Sequence, residues 1–187
     1  MTNVDSGEKK NREFYLGQNV EASSIESIIK GIIEINKHDA EQEKKVVDYK
    51  REPIEITISS YGGYIYDGLG LLDVILLSKT PVHTICIGKA MSMGFMLMIV
   101  GHKRFATPRA TFMHHQGSLG AWGELEKVKR SVEESQRLDD ICDGLILEKT
   151  NILQEKLDMV RERCLDWYIS AQEAKKLGII DEILEAI

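Results

Sequence analysis

Isoleucines set the rhythm of the first third of the chain. Ile25, Ile28, Ile29, Ile32 and Ile33 recur at three- and four-residue spacing, which puts them on one face of a helix. Ser23, with Glu26 three residues later, predicts a capping box that opens this helix. Phe14-Tyr15-Leu16 predicts a short strand ahead of it, ending at Gly17. The charged segment from Asn36 to Glu52 predicts an exposed connection, a solvated loop or a short helix. Beyond it the period changes. Ile54, Ile56 and Ile58 alternate with Glu55 and Thr57, as in a strand with one face buried. That strand runs into Ser59-Ser60-Tyr61-Gly62-Gly63, and a helix carrying Leu69, Leu71, Leu72, Ile75 and Leu76 follows.

The second half repeats the alternation. Pro81 begins a strand over Val82 to Ile87, and Gly88 to Gly94 forms a small-residue turn. Phe95 to Val100 then runs without charge, proline or glycine, as a buried helix does. Arg104-Phe105-Ala106 and Thr111-Phe112-Met113-His114 are short strands on either side of Pro108. Gln116 to Gly123 is a loop with three glycines. A long amphipathic helix is predicted from Glu124 to Lys149, with Leu125, Val128, Val132, Leu138, Ile141, Leu145 and Ile146 inward or against a neighbour. Another helix spans about Leu153 to Arg163. Ser170 and Glu173 form a second capping box, Gly178 stops that helix, and Ile179 to Leu184 predict a last strand. Strands alternating with helices predict an α/β fold with a largely parallel sheet.

Composition narrows the function classes. A chain of 187 residues suits one domain with a proper core. The net charge of -6 argues against nonspecific nucleic-acid binding. Cys86, Cys142 and Cys164 lack metal-ligand spacing and read as reduced intracellular thiols, two in the core and one partly exposed. Met1 to Arg12 lacks an apolar signal core, and Met91 to Val100 is too short to span a bilayer, so the expected location is the cytoplasm. Residues 1–11 are expected to form a mobile tail. Neither a phosphate-cradling glycine loop nor a metal-ligand cluster occurs, so no cofactor and no metal are expected.

Ser92 offers chemistry. A lone serine between small residues, where a buried strand meets a buried helix, is how a fold exposes a nucleophile. Taken alone, the pattern fits an ordinary turn into a core helix better than it fits a nucleophile. A serine hydroxyl needs a base within hydrogen-bond reach. Of the five histidines, His38 falls in the charged connection, His83 sits in a strand and reads as structural, and His102 follows Gly101 in a turn. His114 and His115 end a strand beside the glycine-rich loop, and strand geometry lets only one of them face a given site. Periodicity leaves that choice open.

Four blocks in order carry a resemblance: Ser59-Ser60-Tyr61-Gly62-Gly63, Ala90-Met91-Ser92-Met93-Gly94, Met113-His114-His115-Gln116 and Asp166-Trp167-Tyr168-Ile169-Ser170-Ala171-Gln172-Glu173-Ala174. Together they resemble the Clp protease proteolytic subunit family, from about Arg12 to the C-terminus. The resemblance implies a spiral of βαβ units, shared with the crotonases, in one domain over 12–187 with a protruding handle helix at about 124–149. It implies a serine endopeptidase that cuts unfolded polypeptides inside a chamber of stacked heptameric rings, a tetradecamer, served by an AAA+ unfoldase. Carried over by position, the nucleophile is Ser92, the base His115 and the orienting acid Asp166, with backbone N–H groups of Gly62 and Met93 as oxyanion donors. Without the resemblance, Asp166 reads as a surface carboxylate. The chain departs from the family at Tyr61, where proline is usual, and at Glu55 and Thr57, where many members place aromatic residues of the ATPase docking pocket. Cys164-Leu165 replaces a charged sequence used in ring contact, and the Asn36 to Glu52 connection is longer. Two alternatives predict different residues. A catalytically silent ring subunit would lack a triad member, and a crotonase-type acyl-CoA enzyme would have no use for Ser92, His115 and Asp166 together.

Overall fold

A computed structural model describes residues 11–186, so the expected tail over 1–11 lies almost wholly outside the described residues. The elements alternate as the sequence predicts: β1 (Glu13–Leu16), α1 (Ala22–Lys45), β2 (Ile54–Ser60), α2 (Ile65–Leu76), β3 (Val82–Met91), α3 (Met93–Ile99), β4 (Lys103–Ala106) and β5 (Thr111–His114). Then come α4 (Leu125–Lys149), α5 (Gln154–Glu162), a strand that the sequence reading did not predict, β6 (Trp167–Ser170), α6 (Ala171–Lys176) and β7 (Glu182–Ile183). One mixed sheet has the order β1-β2-β3-β4-β7, all parallel, and β5 branches from β3 to pair antiparallel with β6. The fold is therefore α/β with a parallel sheet.

β3 is the hinge of this arrangement. It runs four residues further than its apolar stretch predicts, through Gly88-Lys89-Ala90 to Met91. Its first half pairs with β4 from His83 to Cys86, and its last residues pair with β5 from Lys89 to Met91. One strand thus feeds two branches of the sheet, and its end meets the end of β5. Ile54, Ile56 and Ile58 of β2 are fully buried on one face, and all seven residues of α3 are buried.

Several boundaries differ from the expectations. α1 begins one residue before Ser23, with Glu21 as its cap. Glu21 N–H donates to Ser24 Oγ (3.1 Å), Ser23 Oγ donates to Glu21, and Glu26 instead pairs with Lys30 one turn on. The charged segment is a connection only from Val46 on, because α1 continues to Lys45. The one-face spacing of Ile25, Ile28, Ile32 and Ile35 extends to a buried aspartate, Asp39, and Lys44 and Lys45 complement the helix C-terminus. His38 is accordingly half-buried on a helix. In α4, Leu138 and Ile146 are buried, but Leu125 and Val132 are exposed, so its N-terminal half leaves the body of the fold, and Ile141 is exposed further along. Cys86 is buried, Cys142 half-buried and Cys164 exposed, one thiol fewer in the core than expected. The capping box of Ser170 and Glu173 is present, and Gly178 adopts a φ of +68 as it closes α6. The last strand is only Glu182–Ile183, because Ile179 and Ile180 are buried in the turn before it. Among the described residues no helix is long and apolar enough to cross a membrane.

Candidate active site

Ser92 sits between β3 and α3 with φ +51 and ψ -122, a conformation that non-glycine residues rarely adopt. Three hydrogen bonds hold it there: its N–H donates to Met113 O (2.8 Å), and its carbonyl accepts the N–H groups of Phe95 and Met96. The bond to Met113 ties the serine to the end of β5, just where the histidines emerge. Strained geometry fixed by surrounding structure is a usual mark of a functional turn.

The pairing of β5 with β6 settles which histidine faces the serine. His114 is opposite Trp167, so the next step along the antiparallel pair brings His115 toward Asp166. His115 Nε2 lies 2.8 Å from Ser92 Oγ, and His115 Nδ1 lies 3.3 Å from Asp166 Oδ1. His114 turns the other way into the core, where its ring packs against Phe95 at 5.6 Å. Burial pushes its pKa down to about 4, helped by the charges of His115 and Arg161, so it is neutral near pH 7. Asp166 is 56% exposed, which matches the surface carboxylate that sequence reading without the resemblance favours. His83 and His102 have local roles: His83 meets Phe105 edge-on, and His102 Nδ1 accepts the Val82 N–H.

The turn after β2 forms the opposite wall. Gly62, with φ +101, lies so close to the serine turn that a Cβ there would meet Met91 O and Ser92 Cβ at 2.7 Å and Met93 N at 2.9 Å. Only glycine fits that approach. The Gly62 N–H, however, already donates to Ser60 Oγ (3.1 Å). Among the described residues no acceptor takes the N–H of Gly63 or of Met93. Gly63, not Gly62, lines the cleft of about 490 Å³ that also contains Ser92 and His115. The expected pair was Gly62 and Met93; of the two glycines at this turn, Gly63 is the one whose N–H is left available. A serine two residues before a glycine, positioned to bond its backbone, was the sequence signal for this.

Sequence reading also passed over Asp139. It lies on the buried side of α4 between Leu138 and Cys142 and accepts the Gly117 N–H at 3.0 Å, two residues after His115. A carboxylate on an inward helical face was the available signal. Among the described residues no group of three or more His, Cys, Asp or Glu is placed to hold a metal.

Comparison with known proteins agrees with this geometry. The Clp protease family matches residues 6–186. An ATP-dependent Clp protease proteolytic subunit from Deinococcus radiodurans is 34% identical over 178 residues, covering 94% of this chain and 81% of the relative. A protein of the same description from Dehalococcoides mccartyi is 32% identical over 178 residues, covering 94% of this chain and 83% of its own. A family match over nearly the whole chain, with relatives of this identity and coverage, means that the chain belongs to the Clp protease family.

Proposed function

We propose that Ser92, His115 and Asp166 are the catalytic triad of this chain, which its family makes a serine-type peptidase acting on polypeptides. The observation that carries the reading is the 2.8 Å approach of His115 Nε2 to Ser92 Oγ, with Asp166 behind the ring. His115 takes the hydroxyl proton as Ser92 attacks the peptide carbonyl and returns it to the leaving amine. Asp166 holds the tautomer and stabilises the imidazolium. The N–H groups of Met93 and Gly63 receive the developing oxyanion, and each such donor is worth roughly 3 kcal/mol of barrier. Water then repeats the sequence on the acyl-enzyme.

Members of the family form rings and work with Clp ATPases, and the same is proposed here, in stacked heptameric rings in the cytoplasm, with residues 12–187 as a single domain. The exposed apolar groups at the start of the handle, Trp122 at 90%, Leu125 and Val132, supply the surface for contact between rings. On the sheet, Glu55 and Thr57 leave the ATPase docking face more polar than in many members.

Fluorophosphonate labelling of the purified protein, with particle size read in parallel, tests the nucleophile. Labelling that disappears in Ser92→Ala on a ring-sized particle supports the reading. Labelling that survives in Ser92→Ala, or none on a folded ring, removes it. A second expectation follows from the turn. Gly62→Ala pushes a methyl group into the backbone of Met91 and Met93 and forces a disfavoured φ, at about 1–3 kcal/mol of strain. Displacing Ser92 by about an ångström lowers kcat on the order of 10²-fold. Steady-state kinetics beside a thermal melt would check both; wild-type kcat in a folded Gly62→Ala protein would refute the close approach.

A further inference from the structure

A second, smaller cavity of about 40 Å³, room for roughly three waters, opens beside Ser92 and His115. Its walls are apolar at Ile65, Met93 and Met96 and charged at Asp139, Asp143 and Arg161. Arg161 is already committed, since its Nη2 lies 2.7 Å from Asp143 and 3.2 Å from Asp140. Asp139 has no such partner. Its residue is only 7% exposed, its Oδ1 accepts the Gly117 N–H, and no other donor among the described residues reaches its carboxylate. No described side-chain oxygen is both sealed and unpaired, so Oδ2 remains open to an incoming group. A carboxylate at this depth, with one backbone donor, keeps acceptor capacity for a cationic group.

We propose that this cavity holds the side chain of the substrate residue on the acyl side of the scissile bond, and that Asp139 selects lysine there. The assignment rests on the triad reading above. Met93 links the two, because its N–H faces the carbonyl under attack and the same residue lines the cavity. The side chain next to that carbonyl is the one on the acyl side. Ile65, Met93 and Met96 suit an aliphatic stem, and Asp139 meets the ammonium. Arginine fits less well. Its planar fork seeks two free oxygens, and one oxygen of Asp139 is already bonded to Gly117.

Two fluorogenic peptides that differ only at this residue, lysine against leucine, test the proposal on the full-length protein. Wild-type kcat/KM is expected to favour lysine by about tenfold or more. Asp139→Asn keeps an acceptor for Gly117 and removes the charge, so the lysine-to-leucine ratio falls by about tenfold or more, mainly through KM. In a digest of unfolded casein by the wild-type protein, cleavage after lysine is enriched, a readout independent of the variant. A wild-type preference for leucine, or equal losses on both peptides in Asp139→Asn, overturns the subsite and leaves Asp139 as an anchor for Gly117. If Ser92 still labels with fluorophosphonate in that case, the peptidase reading stands; if it does not label, both readings fall.

Discussion

Replacing His115 with alanine lowers kcat/KM for peptide hydrolysis by about 10⁴- to 10⁶-fold and leaves the fold intact. The reason is local. His115 is the only base within reach of Ser92 Oγ among the described residues, at 2.8 Å, and without it the hydroxyl proton has no acceptor as the C–O bond forms. Because the members of a triad act as a unit, Ser92→Ala gives nearly the same loss, and the double substitution adds little. Asp166→Asn costs on the order of 10⁴-fold, since the ring then settles in the wrong tautomer. His114 supplies the contrast. It neighbours His115 in the chain but packs against Phe95, already neutral, so His114→Phe removes neither a charge nor a proton acceptor from the serine. Steady-state kinetics on His115→Ala and His114→Phe, each beside a thermal melt, separates the two histidines. His114→Phe is expected to label with fluorophosphonate and keep kcat, beside a dead His115→Ala. Any change in His114→Phe is confined to KM, because His114 lines the small cavity beside Ser92. The reverse outcome, a dead His114→Phe with an active His115→Ala, would place His114, not His115, against Ser92.

That contrast also measures how far the sequence could be read. The strand period of Thr111 to His114 said that only one of two adjacent histidines could face a site, but not which, because the answer depends on β6, more than fifty residues further on. Motif order supplied the choice of His115, and the register of His114 against Trp167 supplies its cause. Ser92 was legible because its neighbours are small and its flanks apolar. Its strained φ was not, since that strain is imposed by the bond to Met113 and by contact with Gly62. The N–H left available at the glycine turn is one residue on from the expected Gly62 for a related reason: counting glycines does not reveal that Ser60 already occupies the first N–H. The charged stretch after Asn36 misled in the opposite direction. Charge density suggested solvent, yet Lys37, Glu41, Glu43 and Lys44 stay exposed while the same helix turns Asp39 inward.

Replacing Asp39 with alanine is expected to cost about 3–5 kcal/mol, the largest single loss of stability in the chain outside its apolar core. Asp39 has no exposed surface and receives four hydrogen bonds, from Arg12 Nη1 (3.0 Å) and Nη2 (2.5 Å), Tyr49 OH (2.8 Å) and Thr80 Oγ1 (2.7 Å). These donors come from the start of β1, the segment after α1 and the segment before β3, so one carboxylate fastens three parts of the chain to α1. Removing it leaves Arg12, only 12% exposed, with one remaining acceptor, the carbonyl of Glu52 at 2.8 Å. An uncompensated buried cation is what makes breaking such a pair expensive, whereas replacing both partners by apolar groups is often close to neutral. Arg12→Met with Asp39→Leu should therefore recover most of the loss. The pH dependence has a definite sign. Burial alone would raise the pKa of Asp39, but the bonds from Arg12, Thr80 and Tyr49 and the charge of Arg12 outweigh it and hold the value below the ordinary 3.8. A carboxyl with a depressed folded pKa stabilises fully above its unfolded value and loses that contribution as pH falls through the folded one. Wild-type stability therefore drops below about pH 4, and Asp39→Ala shows a shallower drop. Melts at pH 7 and pH 3 on wild type, Asp39→Ala and the double variant would decide it. At neutral pH a fall in Tm on the order of 10 °C is expected for Asp39→Ala, and a change under about 2 °C would mean that the buried pair does not hold these segments together.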